Sequence, residues 1–387
     1  VSDHRAHAIA ILERLVAFDT TSAKTNNPCI DYVKEFLAGH GIESHLVPTA
    51  DRQKASLYAT IGQSSRPGIG LSGHTDVVPV TGQDWSSDPF RLIERDGKLF
   101  GRGSCDMKGF LACVMAMVPE FKRRQLAVPI HILFSYDEEV GCTGVRPMIA
   151  ELGGRLTKPR LVIVGEPTTM TVVDAHKGAT RFKTTVTGRE AHSSMAHIGV
   201  NAIHIAGLLI AELGKLEAEL RNGKQETRFT PPYSTLQVGL IEGGRAQNIV
   251  PRHCSFSWEV RVLPGVSVDE TLQRFRTSVE EVHLPAMRRV AIDAAIDTVH
   301  VNTVPSFYSG RGSEAVSLAL RLAGQNETYA VSYGTEAGLF QAAGPPSVIC
   351  GPGDIEQAHR PDEFVAISEL DRCLAFLQRL ADQAAAI

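Results

Sequence analysis

Residues 130–141 read IHILFSYDEEVG. An apolar run from Ile130 to Phe134 gives way to three consecutive acids, Asp137, Glu138 and Glu139. So continuous an apolar run suits a strand covered on both faces of a sheet. The acids that end it are harder to place, because clustered carboxylates repel one another unless positive charge sits among them. A solvated loop after a strand is the plain alternative, and the rest of the chain argues against it.

Two more runs, at 69–73 and 161–165, are nearly continuous in apolar residues and read as strands of the same covered sheet. A strand is also expected over 56–61. Helical spacing of Ile9, Leu12, Leu15 and Val16 predicts a helix over about 4–18. Further helices are expected over 29–38, ending near Gly39 and Gly41, and over 107–123 and 143–152. Alternating strands and helices place this part in the α/β class. The texture changes after His176. TRFKTTVTG, STLQVGLIEGG and CSFSWEVRVLP alternate as half-buried strands do, with helices expected over 201–220 and 268–282. From Gly312 the α/β pattern resumes. The reading is one catalytic domain, 1–179 and 300–387, interrupted by an inserted α+β domain at 180–299.

The chain has 387 residues, 43% of them apolar, and a formal net charge of -4. That balance offers no basic footprint for nucleic acid and no polybasic membrane surface. Seven cysteines without a CxxC pair argue against a disulfide framework or a thiolate metal cluster, and reduced thiols suit the cytoplasm. The first residues mix acids with bases around no long apolar core, so no signal peptide is expected.

The chemistry gathers at strand ends. LSGHTDVVPV places His74 and Asp76 after one strand. Residues i and i+2 of extended backbone face one side, so Asp76 could accept the second ring N–H of a metal-binding His74. LVIVGEPT ends another strand with Glu166, and VICGPGDIEQAHRPDEF sets His359 after a fourth. GRGSCDMKGF places Asp106 at a helix start, where capping is the ordinary job of an Asp, and glycines 101, 103 and 109 point to a closely approached backbone. Open α/β sheets bind ligands at the carboxyl ends of their strands. Two histidines and three carboxylates form a nitrogen and oxygen set suited to two zinc-type ions sharing one carboxylate. Such ions would turn the acid cluster from a liability into a ligand set. Of two adjacent glutamates, one can bind metal while the other handles a proton.

Taken in order, GHTDVVP, GRGSCDMKG, DEEVG, GEPT, GREAHSS and GPGDIEQAHRPDEF resemble the M20 family of di-zinc metallohydrolases across nearly the whole chain. The resemblance implies a phosphorylase/hydrolase-like, zinc-exopeptidase catalytic domain of the α/β class. The inserted ferredoxin-like domain would serve as lid and dimer surface of a homodimer. It implies that Asp106 bridges two ions, zinc or else cobalt or manganese, with His74 and Glu166 on one and Glu139 and His359 on the other. Glu138 would be the general base, Asp76 would orient His74, and His192 would stabilise the oxyanion. By the same resemblance Asn248 in RAQNIVP and Arg261 in WEVRVLPG would bind the backbone or carboxylate of a small N-acyl amino acid. No nucleic-acid or membrane partner is implied. YGTEAG resembles the acetylornithine deacetylase branch rather than the GTSDGR of desuccinylases, which makes Glu336 a candidate reader of the substrate side chain. One departure is Ala196 in SSMAHIGVNA, where relatives often carry proline.

Overall fold

The computed structural model describes residues 2–63 and 65–385. Chain contacts divide them into two units, the first Val1–Ala175, Tyr308–Ala330 and Thr335–Ile387, the second His176–Phe307 with Val331–Gly334.

The first unit is built on a mixed sheet. Its order begins Ser44–Pro48, Ala55–Ile61, Ile130–Ser135, Ile69–His74, Leu161–Val164, Ser347–Ile349 and Val173–His176. The four strands Ile130–Ser135, Ile69–His74, Leu161–Val164 and Ser347–Ile349 run parallel, so their carboxyl ends share one edge. Every residue of these four strands is buried, which explains why their sequences read as largely apolar runs. Helices Ser2–Val16, Gly109–Arg123 and Ile367–Ala385 contribute to one core with the sheet. From Phe110 to Val118 the middle helix is buried on all sides. Each large apolar side chain so buried contributes roughly 1.5–3 kcal/mol, the reserve against which acids can be gathered at the sheet edge. Gly165 lets that helix close on the strand end, since a Cβ there would lie 2.1 Å from the Phe110 ring.

The second unit orders its strands Thr235–Gly243, His253–Val262, Gly178–Thr187 and Ala295–Val304, all antiparallel. With helices Ala202–Asn222 and Val268–Ser278, the chain order is β-α-β-β-α-β, the split βαβ arrangement. The core of this unit packs Phe182, Trp258 and Phe275 with Leu209 and Leu213 of the longer helix. The expected boundary at 299 falls inside the strand Ala295–Val304, which pairs with Gly178–Thr187 and so must belong to this unit. A second correction concerns the helix expected over 107–123. It begins at Gly109, and Ser104–Lys108 instead forms one wide π-type turn with non-helical backbone at Asp106 and Met107. No helix among the described residues is long and apolar enough to cross a membrane.

Candidate metal centre

Each of the four parallel strands delivers a donor at the shared edge. His74 closes Ile69–His74, Glu138 and Glu139 follow Ile130–Ser135, Glu166 follows Leu161–Val164, and His359 lies in the loop after Ser347–Ile349. Asp106 comes from the wide turn before the buried helix. It does not cap that helix; its two oxygens face two histidines. Oδ1 lies 3.0 Å from His74 Nε2, and Oδ2 lies 3.4 Å from His359 Nε2. Glu166 Oε1 is 3.9 Å from His74 Nε2, and Glu139 Oε2 is 3.0 Å from His359 Nε2. Among the described residues, two groups of possible metal donors have ligand atoms within 4.8 Å of one another: His74, Asp106 and Glu139, and His74, Glu138 and Glu166.

The electrostatics are those of crowded acids. Burial pushes Glu138 up to about 8, opposed by His74 and helped by the charges of Glu139, Glu336 and Asp106. Burial and Asp106 raise Glu139 to about 7. Glu166 is held well above the usual carboxylate range by burial first and Asp106 next. Asp106 goes the other way. Against its burial, the bonds with His359 and His74 hold it well below that range. His359 rises to about 10 through its bonds to Asp106 and Glu139. Protonated histidines thus supply part of the positive charge that the acids demand.

Asp76 has a wider role than the i to i+2 geometry suggests. The His74 Nδ1–H donates to the Asp76 backbone carbonyl at 2.9 Å, and the carboxylate Oδ1 stands off at 3.5 Å. The carboxylate accepts instead from Ser22 Oγ at 2.7 Å and from the backbone N–H groups of Glu138 and Glu139 at 3.1 and 3.3 Å. It therefore anchors the acidic loop. The Cys142 thiol donates to Glu138 Oε1 at 3.1 Å, a contact the sequence reading missed.

Glu336 departs from its expected place. It is buried at 1% exposure, accepting from Ser72 Oγ at 3.1 Å on one oxygen and from Ser135 Oγ on the other. Burial pushes it up to about 7. A carboxyl so enclosed offers no face to a substrate side chain, which corrects the reading drawn from YGTEAG. The missed signal was Ser72 and Ser135 themselves, hydroxyls in largely apolar, fully buried strands.

His192, Asn248 and Arg261 belong to the second unit and not to this cluster. His192 is exposed and pairs in register with Ile249, while the Ser193 N–H donates to the Asn248 carbonyl, so the first two are neighbours. Arg261 Nε lies 3.0 Å from Glu259 Oε1.

Residues 70–383 match the model of peptidase family M20/M25/M40. The chain is 37% identical over 379 residues to an acetylornithine deacetylase of Myxococcus xanthus, covering 96% of this chain and 95% of that one. Among solved structures, an M20 family metallo-carboxypeptidase from Sulfolobus solfataricus shares the fold at a TM-score of 0.79 and 18% identity, over 98% of this chain and 99% of that one. A dinuclear metal binding peptidase of the M20 family from Bacillus subtilis aligns at a TM-score of 0.65 and 17% identity, over 98% of each chain. The family match spans the strand ends that gather these donors, the relative spans both units, and together they make the chain a metallohydrolase of the M20 peptidase family.

Proposed function

We propose that the protein hydrolyses N2-acetyl-L-ornithine to L-ornithine and acetate, using two divalent ions held by His74, Asp106, Glu139, Glu166 and His359. The observation that carries the substrate is the 37% identity to an acetylornithine deacetylase across 96% of the chain. The donor set fits the ions. It is all nitrogen and oxygen, and burial, with neighbouring acids adding to it, raises Glu138 and Glu139 to about 8 and 7, where divalent charge would be welcome. Zinc is the ion we assign, with cobalt and manganese suited to the same donors. When bound, such ions supply Lewis acidity, which polarises a carbonyl and makes water acidic near neutral pH.

The protein's own groups do the rest. Glu138 takes the proton of the attacking water and passes it to the departing amine, the task of a general acid–base carboxylate beside the donor cluster. Asp76 fixes the main chain of Glu138 and Glu139 through their N–H groups. From the second unit we assign His192 to the oxyanion, and Asn248 and Arg261 to the substrate carboxylate, for which a guanidinium fork is suited. The inserted unit is proposed to act as lid and as the surface of a homodimer.

The test is kcat/KM of zinc-loaded protein on acetylornithine, succinyl-diaminopimelate and a simple dipeptide. A dipeptide belongs in the comparison because the solved relatives named above are peptidases. Preference for acetylornithine by tenfold or more, on the order of 1.4 kcal/mol in transition-state binding, supports the proposal. Preference for another acyl group keeps the metal chemistry and overturns the substrate.

A further inference from the structure

We infer that Glu363, with Arg102 and Gln83, is a positioning device that acts most strongly on one of the two metal positions, the one flanked by Glu139 and His359. The inference rests on the di-metal reading above.

Glu363 is 1% exposed, and both of its oxygens are fully engaged. Oε1 accepts from the N–H groups of Cys105 at 2.9 Å and Asp106 at 3.0 Å. Oε2 accepts from the Gly103 N–H at 3.0 Å and from Arg102 Nη1 at 2.8 Å. The segment it grips is the turn that presents Asp106, where the backbone leaves helical geometry and Gly103 takes a left-handed φ of 79°. Three amides converging on one carboxylate set where the Asp106 carboxylate sits.

The other arm of the network reaches His359. Arg102 lies over the Trp85 ring with its guanidinium carbon 4.9 Å from the centroid. Its Nη2 donates to Gln83 Oε1, and its Nη1 also reaches the Arg360 carbonyl at 3.3 Å. Gln83 Nε2 then donates to the His359 carbonyl at 2.8 Å. His359 has a φ of 63°, a left-handed conformation that a residue other than glycine adopts only when its surroundings hold it there. The main chains that carry Asp106 and His359 are thus pinned by the same three side chains.

A buried Arg–Glu pair is by itself weak evidence for stabilisation, since desolvation offsets much of its attraction. What distinguishes this pair is where its bonds go. Four of the groups bonded to this network, the N–H groups of Gly103, Cys105 and Asp106 and the carbonyl of His359, belong to the two donor loops. Among the described residues, the hydrogen bonds of the Glu363, Arg102 and Gln83 side chains go to neither His74 nor Glu166. Asp106 serves both positions, so the grip on its turn is felt at each, while the hold on the His359 carbonyl adds a contribution at one position alone. Groups that orient metal ligands typically control 10–100-fold in affinity.

The experiment is zinc titration against a competing chelator for the wild-type protein and for Glu363→Gln, Gln83→Leu and His359→Ala, with denaturant unfolding of each metal-free form. His359→Ala identifies which binding step belongs to the Glu139 and His359 side. Gln83 is only half-buried, so Gln83→Leu tests the same idea without a cut into the core. The expected result is that Gln83→Leu weakens that step on the order of 10–100-fold and leaves the other step within about threefold, and that Glu363→Gln, which also loosens the shared Asp106, weakens both steps but that one more. Equal weakening of both steps by each variant, or lowered unfolding stability with both affinities unchanged, overturns the inference and leaves the di-metal reading standing. A wild-type protein that binds fewer than two zinc ions overturns both.

Discussion

Replacing Asp76 by Ala tests whether this residue anchors the acidic loop. Its carboxylate is buried and accepts the N–H groups of Glu138 and Glu139 at 3.1 and 3.3 Å. Alanine leaves both amides without their acceptor, at a cost of about 1–3 kcal/mol for each unsatisfied group. The two together give roughly 2–6 kcal/mol. Because the loop is only partly buried, water recovers some of this, and the lower half of the range applies. At about 1.4 kcal/mol per tenfold, kcat/KM falls on the order of 30- to 1000-fold. Zinc affinity falls about 10–100-fold, as is usual when a group that holds ligands is lost. Asp76→Asn keeps one accepting oxygen where two amides compete, so it lies between wild type and Ala. If Asp76 instead served only to orient His74, one oxygen would suffice and Asn would behave as wild type. The assay is steady-state turnover of acetylornithine beside zinc titration of the same preparations. An Asp76→Ala protein that holds both ions normally and turns over at more than about a third of the wild-type rate refutes the anchoring role.

Two further predictions concern protons. Glu138→Ala should lower kcat by about 10²–10⁴-fold, the usual share of general acid–base catalysis, while elemental analysis still finds wild-type metal content; equal turnover in that variant sinks the assigned base. The metal-free protein should lose stability as pH rises. Glu138 and Glu139 hold protons up to about 8 and 7 in the folded state, against 4.5 as the ordinary value, so the folded form binds more protons between those limits and its advantage shrinks across them. His359, raised to about 10 from 6.5, adds stability that is complete below 6.5 and lost through 10, the same direction. Zinc must displace these protons, so its affinity rises over the same range and binding releases protons, measurable by calorimetry in buffers of different ionisation enthalpy. A metal-free melting temperature that climbs from pH 6 to 9 contradicts the scheme.

What the sequence made legible was what repeats along the chain. The covered strands announced themselves as apolar runs, and because Ile69–His74, Ile130–Ser135, Leu161–Val164 and Ser347–Ile349 are parallel neighbours, a donor after each one had to arrive at the same edge. Bonds between segments far apart in the chain left no such trace. Asp76 to Glu138 and Glu336 to Ser72 and Ser135 join loops or strands by single side chains, which no periodicity records. The boundary at 299 failed for a related reason. The pattern of Ala295–Val304 marks a strand, but only its pairing with Gly178–Thr187 says whose strand it is.

The three acids after Phe134 divide their work, and the division is physical. Asp137 has its own counter-charge, since Lys54 Nζ lies 2.6 Å from its Oδ1 and also donates to the Ser22 carbonyl. Ser22 in turn donates its hydroxyl to Asp76, the residue that grips Glu138 and Glu139. The first acid thus ties the loop down through a lysine, and the next two are held at the sheet edge by their backbone amides. Glu138 and Glu139 have no such lysine to oppose their burial, which with the neighbouring acids raises them to about 8 and 7. A basic side chain beside them would neutralise the acids and stabilise the metal-free fold. It would also occupy the place of a divalent ion, and the reserve of apolar burial beneath the edge makes the less stable arrangement affordable.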